Sequence, residues 1–373
     1  MKPPLDSAGS ADVTFFKEGF KRLEMALAGI PDRVPVFAQV HELAMKESGL
    51  DAEEFFSNPQ ALVSSILSTV HKYDLDVPFL DYDIYNIEVE AIGQKIIYSR
   101  HHPPDIDRTD PLIKGRNDLK KIQKPDFTSD GRFPMVVEMN TLYRESVDQY
   151  AILNFCAPFS MAANIRGMEC LVMDILTRPV FAKELFDRLT DEVIIPWILY
   201  LKEKFPKARS ICGSDAMASL PIVNIPILQD WIIPYILRLR EICGSGVYVP
   251  NWVGESCLQR PEAFLALKLR VCPHFLEGQD PDVASIGPAV YKAFAEKNRV
   301  ALVLGIGAGF LAMSNPSEVA ERVKQYIEIG GNNGHFCLYL CNLGETTPKQ
   351  NIRAAVEAVH TYGTYSSKGI LSL

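Results

Sequence analysis

The chain has 373 residues, of which 47% are hydrophobic, and its net charge is −8. A chain of this length and composition can bury a large core within one elaborated α/β domain. The negative charge and the lack of a long basic cluster disfavour nucleic acid or an anionic membrane as the main partner. Because the sequence shows neither a signal-peptide pattern nor an apolar run of membrane-spanning length, we expect a cytoplasmic protein.

Taken from the N-terminus, the hydrophobic pattern predicts helices that alternate with eight strands. Residues 12–28 are predicted to form an amphipathic helix across one mouth of a barrel, and each apolar strand candidate is followed by a helical period. The predicted strands are residues 33–38, 77–82, 150–155, 208–213, 246–251, 271–276, 300–305 and 335–341. This order predicts a (β/α)8 TIM-like barrel that occupies residues 1–373 as a single domain.

Residues 93–138, between the second and third predicted strands, are polar and rich in proline. Such a stretch is typical of a surface excursion rather than of core, so we predict an insertion or lid after the second strand.

The last quarter of the chain contains two similar helix starts, one at Asn315-Pro316-Ser317-Glu318 and one at Thr347-Pro348-Lys349-Gln350. Each places a capping residue first, proline at the first helical position and Glu or Gln at the third. Gly330 and Gly363 are the predicted helix ends. Two consecutive βα units of this kind indicate a parallel architecture, in which functional side chains collect at the carboxyl ends of the strands.

The eight cysteines of the chain lie mostly within predicted strands and helices. In a long chain with this distribution we expect reduced thiols rather than a disulfide framework. Metal binding by one or two of them is left open.

Several short motifs, in this order along the chain, resemble the uroporphyrinogen decarboxylase superfamily. They are Asp32-Arg33-Val34-Pro35-Val36, Tyr73-Asp74-Leu75-Asp76 running to Tyr82-Asp83, Glu90-Ala91-Ile92-Gly93, the turn Ala157-Pro158-Phe159-Ser160-Met161-Ala162 before Arg166-Gly167, and the helix start at Thr347-Pro348. The resemblance implies a distorted (β/α)8 barrel. It also implies either a tetrapyrrole decarboxylase or a methyltransferase that serves a corrinoid protein.

Departures from the family patterns favour the methyltransferase branch. Decarboxylases of the family carry an arginine-rich loop for their polycarboxylate substrate, whereas this chain has Phe37-Ala38-Gln39-Val40-His41-Glu42-Leu43 there. In the methyltransferases a His-x-Cys pair after the sixth strand and a Cys after the eighth hold zinc. Here Asn251-Trp252-Val253 replaces the pair, and only Cys341 matches.

A mixed zinc site is therefore one hypothesis, with Glu255, Glu277 and Cys341 as ligands and His274 nearby. The alternative is that the two glutamates cap helices or lie in solvated loops. A His-x-Cys does occur at 335–337, but it begins the eighth strand and would point away from the carboxyl-end mouth.

The resemblance makes Asp83 the best candidate for proton transfer or substrate orientation, the alternative being a structural carboxylate bonded to backbone amides. The predicted substrate-binding residues follow strand ends: Gln39, His41, Tyr85, Phe159, Asp215 and Asn251. Tyr82, Met161 and Trp252 join Tyr85 and Phe159 as a predicted apolar wall, for which core packing is the alternative. The glycines of residues 305–309 indicate close backbone approach to a ligand.

The resulting expectation is a methyltransferase that moves a methyl group between a small substrate, for example a methoxylated compound, and a corrinoid protein. The first alternative is a decarboxylase-like enzyme that acts through Asp83 on a small carboxylated substrate. The second is a non-catalytic module that binds a tetrapyrrole or a corrinoid protein. The family resemblance allows either a monomer or a homodimer.

Overall fold

Eight short parallel strands form the centre of the fold in the computed structural model, which describes residues 13–100, 102–366 and 371. These eight are β1 Val36–Ala38, β2 Val77–Pro78, β5 Leu153–Cys156, β6 Ile211–Ser214, β7 Val247–Tyr248, β8 Phe275–Gln279, β9 Ala301–Ile306 and β10 Phe336–Leu340. A separate antiparallel pair, β3 Ile96–Ile97 and β4 Asp105–Ile106, lies outside this set.

The parallel strands are hydrogen-bonded in two arcs, one in the order β2-β1-β10-β9-β8 and the other in the order β5-β6-β7. The arcs meet through other contacts. Asn154 Nδ2 donates to the Leu80 carbonyl at 3.2 Å, and the Tyr248 ring packs edge-on against Phe275. Each strand overlaps its predicted range, so the α/β barrel predicted from the alternating pattern is confirmed.

The helices lie outside the strands and bury their apolar faces against them. In chain order they are α1 Val13–Ala28, α2 His41–Ser48, α3 Ala52–Phe56, α4 Pro59–Lys72, α5 Ile84–Ala91, α6 Phe133–Val147, α7 Pro158–Arg166, α8 Met168–Thr177, α9 Pro179–Arg188, α10 Ile195–Lys204, α11 Ile225–Ile227, α12 Ile233–Cys243, α13 Glu262–Val271, α14 Asp282–Ile286, α15 Pro288–Asn298, α16 Ala308–Met313, α17 Pro316–Gly330 and α18 Lys349–Tyr362. None of the helices in the described ranges is long and apolar enough to cross a membrane.

Helix α1 closes the amino-terminal mouth of the barrel, as its amphipathic pattern predicts. Ala26 is fully buried in a small apolar cluster with Phe37, Val303 and Cys337, and Phe20 packs against the same cluster. An ideal Cβ on Gly19 would lie 1.7 Å from the Asp76 carbonyl oxygen, so glycine lets the helix approach this closely. The predicted start at residue 12 falls just outside the described residues.

Ion pairs at the same mouth explain the Asp32-Arg33 motif. Both terminal nitrogens of Arg33 donate to the Asp76 carboxylate at 2.8 Å, and Arg22 bridges Asp76 and Asp32. The Val36 amide also donates to Asp76 at 2.7 Å. The motif therefore fastens α1 to the first two strands at the end of the barrel opposite the predicted site.

The two similar helix starts near the C-terminus differ in the structure. At α17 the Asn315 side chain accepts from the Glu318 amide while Glu318 accepts from the Asn315 amide, as predicted for a capping box. Helix α18 instead begins at Lys349, and no side chain caps it. The prediction that Thr347 caps this helix is therefore wrong.

The range 93–138 contains the β3–β4 pair, a short 3-10 turn at Arg116–Lys121 and the first residues of α6. Pro134 belongs to the first turn of α6. A lid function for this range stays a prediction. All eight cysteines are free, as expected for reduced thiols.

Candidate active site

Partly exposed polar side chains face the interior of the barrel towards the carboxyl ends of the strands, and the space that they border is called the hollow below. Alternate positions on β6 and β8 are partly exposed, as are Asn154 on β5 and Tyr339 on β10, whereas the residues between them are buried. On β8, for example, Gly278 faces Tyr291 of α15, so Glu277 and Gln279 face the interior. The partly exposed inward-facing side chains are Gln39, Asn154, Cys212, Ser214, Glu277, Gln279 and Tyr339.

His41 begins α2 at the end of β1 and forms a buried pair with Asp81. The two side chains meet at 2.7 Å between Nδ1 of His41 and Oδ2 of Asp81. Burial lowers the pKa of His41, but the nearby carboxylates, Asp81 above all, outweigh it, so the net pKa lies above the ordinary value. His41 therefore holds a proton more firmly than a free histidine.

Asp83 forms a bidentate ion pair with Arg132, the residue that precedes α6. Both terminal nitrogens of Arg132 donate to the Asp83 oxygens at 2.7 Å, and Nε of Arg132 donates to Glu90 at 2.6 Å. Burial raises the pKa of Asp83, and the Arg132 guanidinium opposes that shift. Because both carboxylate oxygens are occupied, Asp83 anchors the segment before α6.

Tyr85, Asn251 and Asp215 form a network that links the chain after β2, β6 and β7. Asn251 Oδ1 accepts from the Asp215 amide at 3.0 Å, and Asn251 Nδ2 donates to the Tyr85 hydroxyl at 3.1 Å. The Ala216 amide also donates to Tyr85 at 3.1 Å. Three of the predicted substrate-binding residues are therefore brought together.

The Asp215 side chain is fully buried behind this network. It accepts from the Ser160 amide at 3.0 Å, from the Ser160 hydroxyl at 2.8 Å and from Trp252 Nε1 at 3.2 Å. Burial raises the pKa of Asp215 to about 7, although the bonds from Ser160 and Trp252 oppose the shift. With no exposed surface, Asp215 orients the neighbouring loops rather than contacting a ligand.

Glu277 is the carboxyl group best placed for chemistry inside the hollow. It is partly exposed on the inner face of β8 and accepts a hydrogen bond from Gln279 Nε2. Burial raises the pKa of Glu277, against the opposing effects of Lys268 and Gln279. A carboxylic acid with a raised pKa keeps its proton to a higher pH than a free carboxylic acid does and can deliver that proton to a ligand.

Cys341 and Gly305 border the same part of the interior. An ideal Cβ on Gly305 would lie 2.6 Å from Cys341 Sγ and 3.1 Å from Gln279 Cγ, so only glycine leaves room there. Burial raises the pKa of Cys341 well above the ordinary value, and Glu277 adds to the shift. The thiol is therefore protonated unless a ligand lowers its pKa.

The predicted zinc ligands do not converge. Glu255 is fully buried and pairs with Lys268 at 2.7 Å, which removes it from the hollow. His274 is exposed and precedes β8, so it lies at the opposite end of that strand from the prediction. Within the described ranges, no group of three or more His, Cys, Asp or Glu side chains is arranged to hold a metal ion. Residues of the hollow therefore do not fit the predicted three-ligand site.

Most of the predicted apolar wall belongs to the core. Phe159 is fully buried and stacks on Phe186, while Tyr82, Met161 and Trp252 are also buried. Of this set only Tyr85 is partly exposed at the carboxyl ends. Core packing, the alternative considered for these residues, thus describes the other four.

The structure adds Asp81, Arg132, Gln279 and Tyr339 to the site, none of which was singled out in the sequence. Tyr339 donates to Gln39 Oε1 at 3.0 Å. Strand alternation could have found Asp81, because Phe79 packs inside the barrel against Phe37 and residue 81 has the same parity. No local signal marks Arg132, which reaches Asp83 from 49 residues away.

Comparisons with known proteins agree with this architecture. Residues 21–362 match the family described as "Uroporphyrinogen decarboxylase (URO-D)". Among solved structures, a methyltransferase from Methanosarcina mazei superposes with a TM-score of 0.73 at 20% sequence identity, over 91% of this chain and 97% of that chain. At this identity the likeness shows a shared fold alone. A comparison with curated proteins gave no match.

Proposed function

This chain belongs to the uroporphyrinogen decarboxylase family, and from that premise we propose that it is a methyltransferase acting with a corrinoid protein. The substrate would be a small methoxylated compound, and the methyl group would pass to the cobalt of the partner. The shared fold with a protein named as a methyltransferase supports this branch of the family. The cytoplasmic location stays a prediction.

The observation that carries the proposal is that three arginine and lysine side chains near the hollow, two buried and one partly exposed, are each paired with carboxylates. Arg132 is occupied by Asp83 and Glu90, Lys268 by Glu255 and Arg322 by Asp280. A polycarboxylate tetrapyrrole would need guanidinium groups free for bidentate pairing. The hollow instead offers carboxyl, amide and hydroxyl groups, which suit a small uncharged substrate with oxygen atoms.

In the proposed reaction the carbon–oxygen bond of the methoxy group breaks and its electron pair stays on the oxygen. Cobalt(I) supplies two electrons to the new cobalt–carbon bond and becomes cobalt(III). The leaving oxygen takes up a proton, and we assign its delivery to Glu277 because burial favours the protonated form of this residue. The products are an alcohol or phenol and the methylated corrinoid.

The His41–Asp81 pair would assist from the end of β1. With Nδ1 held by the buried Asp81 carboxylate, the imidazolium of His41 would offer its Nε2–H as a hydrogen-bond donor to the leaving oxygen, on which negative charge develops. Asp81 would keep the ring in one orientation, and the raised pKa of His41 would keep it protonated over a wider pH range. In this proposal the role predicted for Asp83 in proton transfer passes to Glu277, with assistance from the His41–Asp81 pair.

The test is a methyl-transfer assay with free cob(I)alamin in place of the partner and 1,2-dimethoxybenzene as methyl donor. We expect the cob(I)alamin absorbance to fall as methylcobalamin forms, at a rate proportional to the protein concentration. Carbon dioxide release from a small carboxylated substrate, abolished by Asp83→Asn, would favour the decarboxylase alternative instead. A protein that turns over neither compound would favour a binding module.

A further inference from the structure

The Tyr85 hydroxyl accepts two hydrogen bonds from groups that can only donate. One donor is the backbone amide of Ala216 and the other is the side-chain amide nitrogen of Asn251, each at 3.1 Å. The orientation of the Asn251 amide is fixed, because its oxygen accepts from the Asp215 amide at 3.0 Å. Nδ2 of Asn251 therefore faces Tyr85, because exchanging the two atoms would set the NH2 group against the Asp215 amide, which is also a donor.

The two bonds determine what the Tyr85 hydroxyl can do next. A phenol oxygen has two acceptor positions and one proton, and here both acceptor positions are taken. No residue that the structure describes accepts a hydrogen bond from the Tyr85 O–H group. The Tyr85 ring lies at the carboxyl ends of the strands and is partly exposed. Its O–H bond is therefore left as a donor for whatever occupies the hollow.

The raised pKa of Tyr85 also indicates that its hydroxyl acts as a hydrogen-bond donor. Burial raises the pKa of this phenol further above its ordinary value, with the bonds from Ala216 and Asn251 opposing the shift. Tyr85 thus keeps its proton at any pH at which the enzyme would work, and it acts as a donor rather than as a phenolate base.

We propose that the Tyr85 hydroxyl is a directed hydrogen-bond donor that selects substrates carrying an acceptor oxygen beside the methoxy group that reacts. This inference rests on the proposed function only in placing the substrate in the hollow. A buried donor left without a partner is unfavourable, so the site discriminates against a ligand of the same shape that lacks the second oxygen. The substrate class is then a methoxylated compound with a second oxygen substituent on the neighbouring carbon atom.

The test compares the binding of 1,2-dimethoxybenzene and methoxybenzene by calorimetry. The second oxygen of 1,2-dimethoxybenzene can accept a hydrogen bond but cannot donate one, so its effect reports a donor on the protein. We expect the wild type to bind 1,2-dimethoxybenzene about 10-fold more tightly than methoxybenzene. Tyr85→Phe should lose this preference and bind methoxybenzene at least as tightly as the wild type does, because it has no donor to leave unpaired.

Tyr291→Phe is the matched control. It makes the same chemical change at a buried tyrosine whose hydroxyl has no hydrogen-bond partner within the described part of the chain and whose ring packs on the outer face of β8. The wild-type preference should persist in Tyr291→Phe. A Tyr85→Phe variant that keeps the preference, or a wild type that shows none or binds neither compound, would overturn the inference. Wild-type binding with the expected preference but without methyl transfer would retain it and reject the proposed reaction.

Discussion

Arg132 binds two carboxylates, that of Asp83 directly before α5 and that of Glu90 within α5, and its substitution tests how far Asp83 depends on it. Arg132 is nearly buried, so Arg132→Met would leave the Asp83 charge uncompensated in a poorly hydrated position. We expect the free energy of unfolding, measured in urea, to fall by about 3–5 kcal/mol. Adding Asp83→Asn should recover part of that loss, because the unpaired charge is then removed.

Arg108→Met provides the control for this pair. Arg108, like Arg132, lies within residues 93–138 and pairs with Asp105, but both side chains of this pair are more than half exposed. Exposed pairs contribute at most about 1 kcal/mol, so this variant should remain close to the wild type. Equal effects of the two arginine substitutions would contradict the role given to Arg132.

At the scale of single residues, the sequence predicts a side chain well when its position follows from the local pattern. Asp215 and Asn251 follow strand ends and do meet, together with Tyr85. Glu255 also follows a strand, but its partner Lys268 comes from α13, and that pairing depends on how helix and loop pack. Such long-range pairings carry no signal in a single sequence.

Helix α1 provides a test at the scale of elements. Alanine is about 1 kcal/mol better than glycine in a helix interior, so propensity alone favours Gly19→Ala. The clash of the new Cβ with the Asp76 carbonyl opposes this and should dominate, because that atom is backbone and cannot move aside cheaply. We expect Gly19→Ala to lower the free energy of unfolding by about 3 kcal/mol.

Gly29→Ala is the comparison for this variant. Gly29 follows the same helix, and an added Cβ there would meet no atom of the described residues within 4 Å. Its stability should stay within about 0.5 kcal/mol of the wild type in the same urea titration. An equally small change in the free energy of unfolding for Gly19→Ala would contradict the close packing of α1 against the Asp76 carbonyl.

The elements themselves were largely predictable because continuous apolar runs mark strands that are buried on both faces. The largest shift in a strand start is that of β8, which begins at Phe275 rather than at residue 271. Val271 ends α13, so an apolar run there spans the end of a helix and the start of a strand. This shift moves His274 to the amino end and leaves Glu277 near the middle of the strand.

For the whole molecule, the buried acids predict how stability depends on pH. Burial raises the pKa of Asp215 from 3.8 and that of Glu88 from 4.5, both to about 7. Between these values the folded state binds more protons than the unfolded state, so stability falls as the pH rises. His41 adds to the fall, since its folded pKa lies above 6.5 and its stabilising contribution is lost on deprotonation.

We therefore expect the free energy of unfolding to decrease by about 2 kcal/mol or more between pH 5 and pH 8. Asp215→Asn cannot ionise at this position and should show a smaller decrease over the same range. Urea unfolding at several pH values measures both proteins. Stability that rises from pH 5 to pH 8 in the wild type would show that these groups are not buried in protonated form.

The two ends of the barrel have different roles, one structural and one in the proposed chemistry. At the amino end, Asp76 and its arginines hold α1 in place, while at the carboxyl end the carboxyl groups face a hollow. The sequence predicts this division from the fold class. It does not predict which carboxyl group is free, because that depends on whether a cation reaches it, as Arg132 reaches Asp83.

The most direct test of the account is the rate of methyl transfer to cob(I)alamin in Glu277→Gln. If Glu277 delivers the proton to the leaving oxygen, this variant should be slower than the wild type by about 10²-fold or more, with unchanged binding of 1,2-dimethoxybenzene. Glu262→Gln, on the exposed first turn of α13, should retain the wild-type rate. Equal rates in Glu277→Gln and the wild type would contradict the central claim that this hollow performs the chemistry through Glu277.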